Sequence, residues 1–306
     1  MRVSHEIPIA YLDASLEFNH YDYLLPHLYD KYEGYREFFN TNKDRYVIMD
    51  NSLHELGVPY SKGRMISIIE DIKPNEFIVP DAWEDAITSM RQAKEWSFIE
   101  LPDGVEKVAV VQGKSLHDVI KCYQTYKFLG YKKIAFSYGA SYYNDIFPHP
   151  NKDIGKALGR QLVISKMIDM GLIGNSDRIH LLGCSLPQEF LYYNDIKQID
   201  TIDTSNPIMA AFDGDSYQNW GLNRKPKTKI DEVINSEFNS DIFNTIKHNT
   251  TFFKYINNIR NIMPTGEYYV IDSYYNESSK FPLLNRKEEK ELFFQMLKWS
   301  NNKKRC

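Results

Sequence analysis

The 306-residue chain has little cysteine: Cys122, Cys184 and Cys306 are its only three. They are too few and too scattered for a disulfide framework or a four-cysteine metal site, and they point to a reducing cytoplasm. Long apolar runs are missing as well. No stretch nears the roughly 18 consecutive apolar residues of a membrane span. Met1-Arg2-Val3-Ser4-His5-Glu6 lacks the apolar core of a signal peptide. A cytoplasmic protein with no membrane partner is expected. Nor do the eight histidines include an HExxH pair, and CxxC, P-loop, GxGxxG and GxSxG motifs are absent. No metal ligand set and no cofactor is therefore expected, and bond cleavage is left to covalent or acid/base chemistry by carboxylates.

What is present is ordinary globular composition with one bias. Hydrophobic residues make up 42% and charged residues 25%, with 13 prolines and 15 glycines spread along the chain, which excludes collagen, coiled coil and wholesale disorder. The net charge of −4 argues against nonspecific coating of nucleic acid but leaves room for a local basic face. The bias is aromatic, 22 Tyr and 17 Phe, and reads first as an aromatic-rich core and rim.

Short β-branched runs recur: Tyr46–Asp50, Glu76–Asp81, Val108–Gln112, Lys133–Gly139, Ile179–Gly183 and Ile199–Asp203. Continuous apolar runs of this kind suit strands covered on both faces. Between them, Arg64–Ile72, Glu84–Trp96, Ser115–Leu129 and Asp153–Met170 carry apolar residues at helical spacing, and Pro187 opens another helix. Alternation of this sort means parallel pairing with right-handed crossovers. Strand ends at 50, 81 and 112 stand 31 residues apart and 139 follows 27 later, one βα unit each. A first strand at Arg2–Glu6 and a weaker one at Pro207–Phe212 complete eight. The reading is an α/β fold, a (β/α)8 barrel with helical insertions, and the alternative is a doubly wound open sheet. Asp13–Asn40 reads as one or two helices enlarging the first crossover. The chain reads as a single domain over 1–306, with a helical elaboration from about 215: a basic loop at 223–229, helices near Ile230–Phe243 and Phe252–Ile262, a strand at Tyr268–Ser273 and a terminal helix from about Arg286.

Barrel enzymes place their chemistry at the carboxyl ends of the strands. There the sequence has Asp50, Asp81, Gln112, Tyr138-Gly139, Gly183 and Asp203. Any one aspartate is commonly a helix cap or turn residue. Three of them in phase with an amide suit a grip on a planar, donor- and acceptor-rich ligand. Carboxylates also suit attack at an anomeric carbon through an oxocarbenium-like transition state, so glycosidic-bond chemistry is the reading from residues alone.

The ordered motifs over roughly residues 1–262 resemble the tRNA-guanine transglycosylase superfamily, and within it the virus-associated deoxypurine-in-DNA protein A family, which inserts 7-deazaguanines into DNA. Asp50-Asn51-Ser52-Leu53-His54-Glu55 resembles the family's Asp-Ser-Gly-Gly-Phe-Gln, Pro80-Asp81-Ala82-Trp83 its Phe-Asp-Glu-Cys, and Val111-Gln112-Gly113-Lys114 its Val-Gln-Gly-Gly. Tyr138-Gly139-Ala140 is similar to its Gly-Gly-Leu, His180-Leu181-Leu182-Gly183 to Tyr-Leu-Met-Gly, and Ile199-Asp200-Thr201-Ile202-Asp203-Thr204 to Val-Asp-x-Phe-Asp-Cys. The resemblance implies a catalytic pair, Asp203 as nucleophile and Asp50 in acid/base chemistry. It implies a base pocket of Asp81 on the N1–H and amine edge, Gln112 and Gly139 on O6, Gly183 as floor, and Asn51. The family's two glycines after the first aspartate are missing. So are the Pro-Thr-Arg after the nucleophile and the cysteines of the zinc site; His248 alone remains and reads as an ordinary helix residue. These departures favour DNA over tRNA.

The resulting expectation is exchange of guanine in DNA for a 7-deazaguanine such as preQ0 through a covalent Asp–sugar intermediate, in a host cytoplasm if the source is viral. Arg224, Lys225, Lys227 and Lys229 are expected on backbone phosphates. The alternatives are the same exchange on tRNA, a noncatalytic nucleic-acid-binding barrel, and an unrelated carboxylate glycosidase.

Overall fold

The computed structural model describes residues 1–259 apart from 185, 194–195, 218–221 and 223, and apart from the side chains of 188, 191, 192 and 255–259. Eight parallel strands form one sheet: β1 Arg2–Ser4, β2 Asp22–Leu24, β3 Val47–Met49, β4 Glu76–Ile78, β5 Glu106–Val111, β6 Lys133–Ser137, β7 Arg178–Leu182 and β8 Ile199–Asp203. Their order, β1-β8-β7-β6-β5-β4-β3-β2, runs once around a nearly closed (β/α)8 barrel with flanking helices. The seam between β1 and β2 is closed mainly by a side chain. Asn19 exchanges two hydrogen bonds with the His5 backbone, at 2.8 and 3.0 Å, and His20 N–H donates to Val3 C=O at 2.9 Å.

Two expectations are corrected. Pro207–Phe212 is not a strand: Pro207 sits in the first turn of a helix, Asn206–Phe212, where its fixed φ and missing N–H cost nothing. The eighth strand is instead β2, inside the stretch read as wholly helical. Only three residues long, it is flanked by a helix Leu12–Phe18 and two more at Pro26–Lys31 and Glu33–Thr41. Tertiary pairing with β3 makes the strand, since so short a run carries no period of its own.

The crossover helices begin on real caps. Asp85, Ser115 and Asn151 side chains accept the N–H groups of Thr88, Asp118 and Ile154 at the starts of Ala86–Ser97, Leu116–Phe128 and Lys152–Asp169. Beyond the last strand the chain forms a short helix, Ile230–Val233, and a long one, Ser240–Ile259. The strand expected at 268–273 and the helix from 286 lie outside the described residues. Among the described residues no helix is long and apolar enough to cross a membrane.

Many tyrosines go to the interior; Tyr21, Tyr123, Tyr126, Tyr143, Tyr193 and Tyr217 are fully buried. The barrel's amino-terminal end is filled by an ionic layer, in which Lys133 Nζ lies 2.6 Å from Glu76 and 3.1 Å from Asp200, and Arg178 2.9 Å from Asp200. At the other end Arg160, wholly buried, donates to the carbonyls of Phe136, Leu182 and Gly183 and to Glu189 at 2.9–3.2 Å. A buried guanidinium is tolerated only when paired and hydrogen-bonded throughout. Here it locks together the ends of β6 and β7.

Candidate active site

At the carboxyl ends of the strands lies a cavity of about 420 Å3, within the roughly 300–1,000 Å3 of ligand sites. Asp50, Asn51, Asp81, Gln112, Gly183 and Asp203 all line it. Asp81 and Asp203, 122 positions apart in the chain, face one space.

Each carboxylate is held. Asp50 follows β3 directly; its Oδ1 accepts the Tyr23 hydroxyl at 2.9 Å and its Oδ2 the Ser52 N–H at 2.8 Å. That second bond is an Asx-type turn, which holds Ser52 in the left-handed region at φ 59°. The turn also aims Asn51, whose Oδ1 takes Leu53 N–H while its Nδ2 donates to Asp81 Oδ1 at 2.7 Å. Gln112 is oriented in the same manner. Its Oε1 accepts Glu84 N–H at 3.0 Å, so its Nε2 must point to Asp81 Oδ2, at 2.6 Å. Asn51 therefore acts on Asp81 as well as on the cavity. Burial, helped by the charge of Asp50, pushes the Asp81 carboxyl up to about 7 even though both amides favour the ionised form.

Asp203 ends β8 and is set from several sides. His180 Nε2 lies 2.9 Å from its Oδ1, while His180 Nδ1 lies 2.7 Å from the Thr201 hydroxyl. Burial pushes this imidazole down to about 3. It is neutral, and when Asp203 is ionised the ring hydrogen belongs on Nε2, with Thr201 donating to Nδ1. Tyr23 stacks on the same ring at 6.1 Å and 10°. The Gly183 N–H and the carboxyl of Glu6 also hydrogen-bond Asp203. Burial and the Asp50 charge raise the Asp203 carboxyl to about 8, and Glu6 beside it is raised well above its ordinary value by burial and by Asp203. The pair thus keeps a proton, held on Glu6 when Asp203 ionises.

Of the remaining expected residues, Lys225, Lys227 and Lys229 line the cavity mouth. Their loop is fastened by Asp213, which accepts Lys227 N–H at 2.6 Å and Thr228 N–H at 3.1 Å. Arg224 does not line the cavity and pairs with Asp215 at 3.1 Å. Gly139 also stays off the wall. Tyr138 lines it instead, and a Cβ on Gly139 would sit 3.4 Å from the Trp83 ring. His248 lies within the long last helix and its Nε2 meets Tyr217 C=O at 2.8 Å. Among the described residues no group of three His, Cys, Asp or Glu could hold a metal ion.

Sequence reasoning gave no role to Glu6, Tyr23, His180 or Trp83. For His180 a signal existed. Parallel pairing sets His180 beside Thr201 and Leu182 beside Asp203, and residues two apart on a strand share a face, so His180 lies on the same face of β7 as the residue beside Asp203. Comparison with protein-family models and with curated sequences finds no match for the chain.

Proposed function

We propose that the chain is a base-exchange transglycosylase that replaces guanine in DNA by a free 7-deazaguanine base of the preQ0 kind. One observation supports this above the others: a carboxylate fixed by two amides and a carboxylate fixed by a neutral histidine face each other in one purine-sized cavity, with Asp50 between them in charge.

In this reading a guanine nucleotide turns out of its stack into the cavity, at a cost of a few kcal/mol in a duplex. Asp81 keeps lone pairs for the N1–H and the exocyclic amine, and such charge-assisted bonds are the strong ones. Gln112 serves O6 with the second hydrogen of its Nε2, and Gly183 supplies the flat floor. Asp203 forms a bond to C1′ as the C1′–N9 bond breaks; the electron pair leaves with guanine, whose N9 takes a proton from water relayed by the Asp50 carboxylate. The incoming 7-deazaguanine gives its N9–H proton back to water through Asp50, bonds to C1′ and expels the Asp203 carboxylate. Protons and electrons balance without any redox partner. His180, Gly183 and Glu6 hold Asp203 in place for the attack, a preorganised arrangement that needs no rearrangement during the step.

The test is incubation with DNA and labelled preQ0. Wild type should incorporate label and Asp203→Ala should not, with its circular dichroism unchanged. Undiminished incorporation by the variant removes Asp203 from the reaction, and label entering tRNA in preference to DNA overturns the choice of polynucleotide.

A further inference from the structure

The cavity mouth has an uneven rim. Trp83, on the loop after β4, lines the cavity and is still 45% exposed, an unusual state for so large an apolar ring. Its edge lies beside Gly139, where an added Cβ would be 3.4 Å from the ring. Cations lie over its neighbour Tyr138. Lys225 Nζ lies 5.1 Å and Lys156 Nζ 5.7 Å from the Tyr138 ring centre. Lys114, from the loop after β5, and Lys156 both act electrostatically on Glu84, one residue from Trp83. Lys225, Lys227 and Lys229 line the opening, with Lys156 beside its Tyr138 wall and Lys114 near Glu84. The acidic groups among them are engaged: Glu84 by Ser141 N–H at 2.6 Å, Asp153 by the Tyr138 hydroxyl at 3.2 Å, Asp231 by His27 at 3.1 Å.

We infer that this rim is a track for single-stranded DNA, in which Trp83 stacks on a base next to the one in the cavity and Lys114 and Lys156 contact backbone phosphates beside the Lys225–Lys229 loop. It rests on the exchange reading and adds to it the strand form of the substrate and three residues, Trp83, Lys114 and Lys156. An exposed aromatic face flanked by cations is what unpaired strands use, because every base has a π-face and the phosphates are contacted without reading sequence. Duplex DNA has no unstacked base to offer Trp83.

The experiment is fluorescence anisotropy with a labelled guanine-containing 20-mer, single-stranded or annealed to its complement, over a salt series and without any free base. Wild type should bind the single strand at least tenfold more tightly than the duplex. Trp83→Ala should weaken single-strand binding by about 5- to 100-fold and Trp83→Phe much less, as expected for a lost stacking contact. The Lys114→Ala/Lys156→Ala variant should flatten the log–log salt slope by roughly 1.4, two phosphates' worth. Equal binding of both strand forms, a Trp83→Ala affinity within twofold of wild type, or an unchanged salt slope overturns the track. The two readings fail separately. A track that behaves as stated, together with no preQ0 incorporation, leaves DNA binding and removes the exchange; incorporation with indifferent variants does the reverse.

Discussion

Replacing Asp81 by Asn isolates the energetic character of the base-reading carboxylate. Asp81 is 4% exposed, and its carboxyl rises from the ordinary 3.8 to about 7. Between those values the native state holds a proton that the unfolded chain has released, so this group's contribution to stability falls as pH rises. Integrating the two titrations from pH 5 to pH 8 gives a loss of about 3 kcal/mol, which the Asn variant does not suffer. The variant also loses a hydrogen bond, because Asn51 and Gln112 both present N–H groups whose orientations are fixed by Leu53 and Glu84. That penalty is the same at either pH. Urea unfolding of both proteins at pH 5 and pH 8 separates the two effects. The stability difference should move in the variant's favour by about 3 kcal/mol on going to pH 8. A difference that stays constant, or moves toward wild type, would refute a buried carboxyl with a raised proton affinity at this position.

Exchange should quicken with pH up to about 8, because the nucleophile must be ionised and Asp203 is raised to that range by burial and Asp50. Initial rates of labelled-base incorporation from pH 6 to 9 test this, and a rate that is flat or falling over pH 6–8 contradicts it. His180→Phe keeps a ring beside Tyr23 but removes the hydrogen bond to Asp203, which should slow exchange about 10- to 150-fold with guanine competition unchanged. A matching loss of guanine affinity would mean that His180 shapes the base pocket instead. Arg160→Met leaves Glu189 buried and unpaired and should cost about 3–5 kcal/mol, lowering Tm by about 6–20 °C in a thermal melt. An unchanged melt would show that the guanidinium is dispensable at the β6–β7 end.

The barrel could be read from the chain because six of its strands are continuous β-branched runs that end in polar residues, four of them at one-unit spacing, as in Val108–Gln112. β2 escaped because Asp22-Tyr23-Leu24 is too short to show a period, and Pro207–Phe212 misled because Ile208 and Met209 are apolar in a helix as they would be in a strand. Asp50, Asp81, Gln112 and Asp203 were legible because a polar residue just past a buried strand has nowhere to point but the mouth. What supports them was not. Tyr23 and Glu6 reach the site through pairings between remote segments, and His180 sits in mid-strand where a polar residue carries no positional mark. Gly139 was placed by likeness of motif, whereas the wall at that point belongs to Tyr138 and Trp83.

The covalent role of Asp203 is open to direct sight. Wild-type protein mixed with guanine-containing DNA in the absence of any free 7-deazaguanine, then denatured and run on a gel, should show a band with DNA joined to the chain. That band should vanish when preQ0 is added before denaturation and never form with Asp203→Ala. A DNA-linked band of equal strength from the Ala variant, or none from wild type while label is still being exchanged into DNA, would contradict attack by Asp203 on the sugar.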